Sequence, residues 1–161
     1  MTIVADTSPI CYLLLIEQIQ ILPALFGQIT IPLAVRDELL AEGAADTIQS
    51  WIAQPPDWLA IQPVVEPLDD LPATLGQGER EAIGLAVRLH ASLIVLDDLD
   101  ARKAAQTYGL NVTGLLGVLY RAGLQGLLNF PETIACLQQT SFRVSPVLIE
   151  NLLKQYQNRQ Q

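Results

Sequence analysis

The sequence is poor in the residues that most often announce a chemistry. It holds one histidine, His90, and two cysteines, Cys11 and Cys136, with no CxxC pair. Zinc sites draw on several imidazole or thiolate ligands at short spacing, so a zinc site is excluded, as is a disulfide framework. Both thiols are expected to be free and buried. No apolar run approaches the roughly 18 residues that span a bilayer. The opening Met1-Thr2-Ile3-Val4-Ala5-Asp6 lacks a basic segment and puts a carboxylate where a signal peptide has its apolar centre. A cytoplasmic protein without membrane association is therefore expected. Basic residues are also scarce, 9 Lys and Arg against 17 Asp and Glu, for a net charge of -8 and a pI near 4.4. That deficit excludes a domain that grips nucleic acid by bulk positive field.

What is plentiful is apolar: 50% of the 161 residues are hydrophobic, only 16% are charged, and mean hydropathy is +0.32. Disorder is excluded, and the length suits one domain with a well-filled core. Short β-branched runs, Ile3-Val4-Ala5, Ile29-Thr30-Ile31, Leu59-Ala60-Ile61, Leu93 to Leu96 and Leu110-Asn111-Val112, alternate with segments of helical period. This alternation predicts an α/β fold with a central parallel sheet of about five strands flanked by helices. Leu93 to Leu96 is apolar on consecutive residues, which places it inside the sheet. Pro9 and Pro32 stand where helices should begin, with Ser8 as N-cap before Pro9, and Gly109 stands where a C′ glycine would end one. Residues 54–72, with five prolines, read as a loop around one short strand. The whole chain, 1–161, reads as one domain: a core over 1–124, C-terminal helices over 125–157 opened by Pro131 and Pro146, and a frayed tail over 158–161.

Several carboxylates sit where carboxylates are costly. Asp6 ends the first strand, and Asp97, followed by Asp98 and Asp100, ends the central run. In a parallel α/β sheet the carboxyl ends of strands line the ligand crevice. On a helical wheel through 75–87, Glu79 falls among Ala82, Ile83 and Ala86 on the apolar face, while Glu81 lies toward the polar side. Glu38 flanks the Val35/Leu39 stripe and Asp37 turns away from it. Four converging acids repel one another unless a cation joins them, and oxygen donors without thiolate or imidazole pairs favour Mg²⁺ or Mn²⁺. Metal-assisted phosphoryl transfer is the chemistry such a site offers.

The set Asp6-Thr7-Ser8-Pro9, Ile31-Pro32 with Val35 and Glu38, Leu75-Gly76-Gln77-Gly78-Glu79-Arg80-Glu81-Ala82-Ile83, Leu96-Asp97-Asp98 with Arg102-Lys103, and Val112-Thr113-Gly114-Leu115-Leu116-Gly117-Val118-Leu119 resembles the PIN-domain family of metal-dependent nucleases. The order of the pieces is similar to a prokaryotic branch related to VapC-type toxins. The resemblance implies a single PIN-like domain that cleaves single-stranded RNA as the toxin of a type II toxin-antitoxin pair, with a small antitoxin partner and a homodimeric state. It makes Asp6, Glu79 and Asp97 or Asp98 metal ligands, and Glu38 a catalytic ligand or water-positioning group. Supporting roles fall to Ser8 or Thr7 beside Asp6, to Glu81 as the alternative to Glu79, and to Thr113 at a helix N-terminus that could meet a phosphate.

Each residue also has a plainer reading. Asp98 before Ala101 is an ordinary helix N-cap, Asp100 a first-turn acid, and Glu81 and Asp37 solvated or paired side chains. His90 reads as a solvent-facing helix end. Arg80, Arg102, Lys103 and Arg121 could border a cleft, though isolated surface bases are common. An aspartic-protease reading of Asp6-Thr7-Ser8 conflicts with the helical periods. A receiver-like phosphotransfer domain lacks its second acid beside Asp6 and its lysine near Leu110 to Thr113. A catalytically weak or inactive PIN-like binding module is the remaining alternative.

Overall fold

The computed structural model describes residues 1–160. Five strands, β1 (Ile3–Ala5), β2 (Ile29–Pro32), β3 (Leu59–Gln62), β4 (Leu93–Val95) and β5 (Val112–Thr113), form one parallel sheet in the order β3-β2-β1-β4-β5. Parallel neighbours need long crossovers. These are supplied by α1 (Thr7–Leu15), α2 (Ile21–Phe26), α3 (Leu33–Leu40), α4 (Asp46–Ala53), α5 (Gln77–Arg88) and α6 (Leu99–Thr107), and α7 (Leu115–Leu124), α8 (Phe130–Gln138) and α9 (Pro146–Arg159) complete the chain.

Alternate strand residues face opposite sides. Ile3, Ala5 and Val95 therefore join one core with Leu13, Leu119 and Phe130 of α1, α7 and α8. Val4, Ile94 and Leu96 join a second with Ile83, Ala86, Ala101 and Ala105 of α5 and α6. Burial on both faces explains why these strands read as continuous apolar runs. Each fully buried Ile or Leu contributes roughly 1.5–3 kcal/mol by leaving water, so the two cores hold the sheet's carboxyl edge in place.

Several local expectations are corrected. Helix α1 starts at Thr7, with Asp6 in extended conformation at the N-cap, so Ser8 lies inside the helix and caps nothing. Pro32 is the last residue of β2 and stands, still extended (ψ 166°), at the N-cap position of α3, so the helix starts at Leu33 and Pro32 lies outside it. Strand β5 is displaced to Val112–Thr113, because Leu110 still donates to Ala105 O in the turn that leaves α6. That turn passes through Gly109 at φ +78°, the left-handed C′ position expected of it. Cys136 is exposed and Cys11 half-buried, so the thiols are free but not both buried. Helix α9 runs through Arg159, so the tail expected to fray is helical to that point. The last residue of that tail, Gln161, lies outside the described residues. Among the described residues no helix is long and apolar enough to cross a membrane.

The chain lays β1, β2 and β3 outward in one direction, then returns to place β4 on the other side of β1. The order reverses between β1 and β4, and a crevice opens outside the carboxyl ends of strands at such a point. Asp6 follows β1, and Leu96 then Asp97 follow β4.

Candidate active site at the switch point

Backbone pairing carries past the strands on both sides of the crevice. Asp6 N donates to Val95 O at 3.0 Å, and Leu96 N donates to Thr113 O at 2.8 Å. The two aspartates are thereby fixed at the sheet edge. Asp6 is only 5% exposed, and its Oδ1 is buried without a hydrogen-bond partner. Asp97 accepts the Leu115 N–H on Oδ1 at 2.8 Å, so the first amide of α7 orients it, while its Oδ2 is buried and unpartnered. A buried polar atom without a partner costs about 1–3 kcal/mol, and more when it carries charge.

The electrostatics agree with that cost. Burial pushes the Asp6 carboxyl up from 3.8 to about 7; the Thr7 N–H opposes the rise and the charges of Glu79, Glu38 and Asp97 add to it. Burial likewise raises Asp97, with the Leu115 N–H and Arg102 acting against it. Glu79 is raised by burial, eased by its bond to Gly76, and raised further by Asp98, Glu38 and Asp100. Asp6, Glu38, Glu79 and Asp97 thus share one field at the crevice, with Asp98 and Asp100 acting on Glu79 from its rim.

The glutamates differ in how firmly they are held. Glu38 Oε1 accepts the Thr7 hydroxyl at 2.6 Å and Oε2 accepts the Gly78 N–H at 2.8 Å. Gly78 is a necessary close approach, since a Cβ there would stand 2.5 and 2.6 Å from the two Glu38 oxygens. Glu79 has only a long contact of 3.3 Å from Gly76 N to Oε2. Glu81 is committed elsewhere: Oε1 takes the Ala34 N–H at 3.1 Å, in the first turn of α3, and Oε2 takes Gln77 Nε2 at 2.9 Å. Asp98 caps α6 by accepting Ala101 N–H at 3.0 Å.

The supporting residues are sorted the same way. The Thr7 hydroxyl serves Glu38 and not Asp6, which receives the Thr7 backbone N–H instead. Among the described residues Ser8 makes no side-chain hydrogen bond, and the Thr113 hydroxyl reaches only Gly114 O at 3.5 Å. Arg80 is spent on Leu75 O and Pro72 O, where it pins the loop before α5, and Arg121 lies over the Phe26 ring. Arg102 stands beside Asp97 under α7: a Cβ on Gly114 would meet Arg102 Nη1 at 2.6 Å and Asp97 Oδ1 at 2.7 Å. Cys11 was not anticipated near the acids; burial, Asp6 and Glu38 raise its thiol to about 11, which keeps it protonated and unreactive. It lies four residues after Thr7 in α1, a spacing that puts both on one helix face.

The donor set fits a hard cation. It is all oxygen, it repels itself, and it contains two buried carboxylate oxygens lacking partners. As the side chains stand, no three His, Cys, Asp or Glu among the described residues are gathered closely enough to enclose one ion.

A family model described as PIN domain matches residues 2–158. The solved structure of a PilT N-terminus domain protein from the hyperthermophilic archaeon Sulfolobus solfataricus P2 is similar at a TM-score of 0.51 and 18% identity, covering 90% of this chain and 100% of that one. That likeness is one of fold. No curated protein matches the chain.

Proposed function

The chain belongs to the PIN-domain family, a nuclease fold whose members typically use divalent metals, and from that premise we propose that it hydrolyses single-stranded RNA with Mg²⁺ or Mn²⁺. The observation that carries this reading is the pair of buried, unpartnered oxygens, Asp6 Oδ1 and Asp97 Oδ2, on the two sides of the switch point. Asp6, Glu79 and Asp97 would hold the cation, with Asp98 contributing charge from the N-cap of α6. A divalent ion bound there supplies an acidified water and charge for the leaving oxygen.

The chain's own groups do the positioning. Leu115 N–H holds Asp97 Oδ1 and thereby aims Oδ2 inward. Thr7 and Gly78 hold both oxygens of Glu38, which keeps a lone pair on each to orient the attacking water and take its proton. Glu81 supports the site indirectly, by tying α5 to the first turn of α3, the helix that carries Glu38.

The finer reading is a VapC-like toxin of a type II toxin-antitoxin pair, homodimeric and restrained by a small antitoxin, acting in the cytoplasm. Its support is the order of motifs from Asp6 to Leu119. Growth arrest on expression, relieved by a small protein encoded alongside, tests it. A second reading, a catalytically weak or inactive binding module, is favoured by the open spacing of the acids. Cleavage of short single-stranded RNAs in Mn²⁺, in EDTA and by Asp6→Asn separates the two. The nuclease reading expects cleavage only in the first; the module reading expects none in any, and cleavage that survives Asp6→Asn would show that the site is misplaced.

A further inference from the structure

A cavity of about 550 Å³ forms a groove that begins at Asp97 and runs between the start of α7 and the segment joining α8 to α9. Its polar wall carries Arg102 and Arg143, and its apolar wall includes Leu99 and Leu148, which are 72% and 44% exposed. Its floor contains Gly114 and the exposed Gly117, where any side chain would intrude; a Cβ on Gly117 would strike the Thr113 hydroxyl.

The charge of this groove opposes that of the protein. The chain is at -8 overall, yet the groove holds two arginines and one acid. Among the described residues neither arginine is in an ion pair, whereas Arg36 is paired with Asp37 and Arg88 with Glu66. Arg143 makes only long contacts, 3.3 and 3.4 Å, to the Thr140 and Phe142 carbonyls. Planar guanidinium groups are the preferred ligands of phosphodiester oxygens, and exposed apolar side chains beside them suit an unstacked base.

We propose that this groove binds the RNA strand beside the cleavage site, with Arg102 and Arg143 holding a phosphate that flanks the one being cleaved and Leu99 and Leu148 receiving its nucleoside. The assignment rests on the nuclease reading, and it supplies what the overall charge withholds: a local grip on phosphate that leads straight to Asp97. An acidic peptide could also satisfy two arginines, but the groove's continuity with the carboxylate crevice favours the nucleic acid. Arg143 is thereby a binding residue in the C-terminal part of the chain, away from the acid motifs.

The test is fluorescence anisotropy of a labelled single-stranded RNA of about ten nucleotides on Asp6→Asn protein in Mn²⁺, with Arg143→Glu added, and with Lys154→Glu as a control of equal charge change on α9 outside the groove. Arg143→Glu should weaken binding at least tenfold and lower the slope of log affinity against log salt by roughly 0.7, the contribution of one phosphate contact on a single strand. Lys154→Glu should change affinity less than threefold. In the Asp6 background restored to wild type, Arg143→Glu should raise KM with kcat retained. Equal weakening by both variants, unchanged binding in Arg143→Glu, or no RNA binding at all overturns the groove. Arg143-dependent binding by a wild-type protein that cleaves nothing keeps the groove and removes the nuclease reading; cleavage indifferent to Arg143→Glu does the reverse.

Discussion

Two sets of acids at neighbouring places in the fold are treated in opposite ways. At the seam between α3 and α5, Glu38 and Glu81 have both carboxylate oxygens bonded, to Thr7 and Gly78 in one case and to Ala34 and Gln77 in the other. At the carboxyl ends of β1 and β4, Asp6 is buried and Asp97 half-buried, and each keeps one buried oxygen without a partner among the described residues. A seam that satisfies its polar groups contributes to stability and orientation. An edge that leaves two carboxylate oxygens buried without partners destabilises the chain on its own, and such a cost persists where a ligand offsets it.

The largest difference should appear on removing an acid from each set. Asp6→Asn is expected to lower Mn²⁺-dependent RNA cleavage by at least about a hundredfold, measured under single-turnover conditions, while raising the melting temperature in EDTA above pH 7. Glu81→Ala should do the reverse, costing about 0.5–2 kcal/mol of stability through the lost cap on α3 with Mn²⁺ affinity within about threefold of wild type. Equal effects of the two substitutions on metal affinity would erase the distinction between seam and edge.

The pH dependence in EDTA follows from the same contrast. The Asp6 carboxyl binds its proton more tightly in the folded state, about 7 against 3.8, so its contribution to stability is whole below 3.8 and is lost as pH rises through about 7. Some three pK units correspond to about 4 kcal/mol. Denaturant unfolding from pH 4 to 8 should show that fall in wild type and a much flatter profile in Asp6→Asn. Smaller effects belong to the groups that aim Glu38. Gly78→Ala, which forces the Glu38 carboxylate to move, should lower kcat about 10- to 100-fold, and Thr7→Val, which removes one hydroxyl bond, about 3- to 10-fold; an unchanged kcat in both would place Glu38 outside the reaction.

Much of this contrast was legible in the residues alone. Asp6 and Asp97 each follow an apolar run, so their place at the sheet edge could be read from strand periodicity, as could the sheet itself and the loop over residues 54–72. The wheel put Glu79 inward and Glu81 toward the polar side, whereas in the structure both are half-buried and Glu81 is bound to the Ala34 amide across the α3–α5 seam, a contact no wheel can show. What could not be read were contacts between segments distant in sequence. Glu38 meets Gly78 across 40 positions, and its hydroxyl partner proved to be Thr7. Cys11 had no pattern that linked it to acids, and only its spacing from Thr7 in α1 could have hinted at it. Arg143 lies in an irregular segment between α8 and α9, where no periodicity fixes direction, while Arg80 and Arg121, more conspicuous in sequence, turned out to be occupied by carbonyls and a ring.

Whether the edge aspartates are left unpaired for a cation is tested most directly by thermal unfolding with and without millimolar Mn²⁺ at pH 7.5. A ligand that binds only the folded state must raise the melting temperature. Wild type should therefore shift upward in Mn²⁺ by several degrees, and Asp6→Asn and Asp97→Asn by little or nothing. The same upward shift in all three proteins, or none in wild type, would contradict the account.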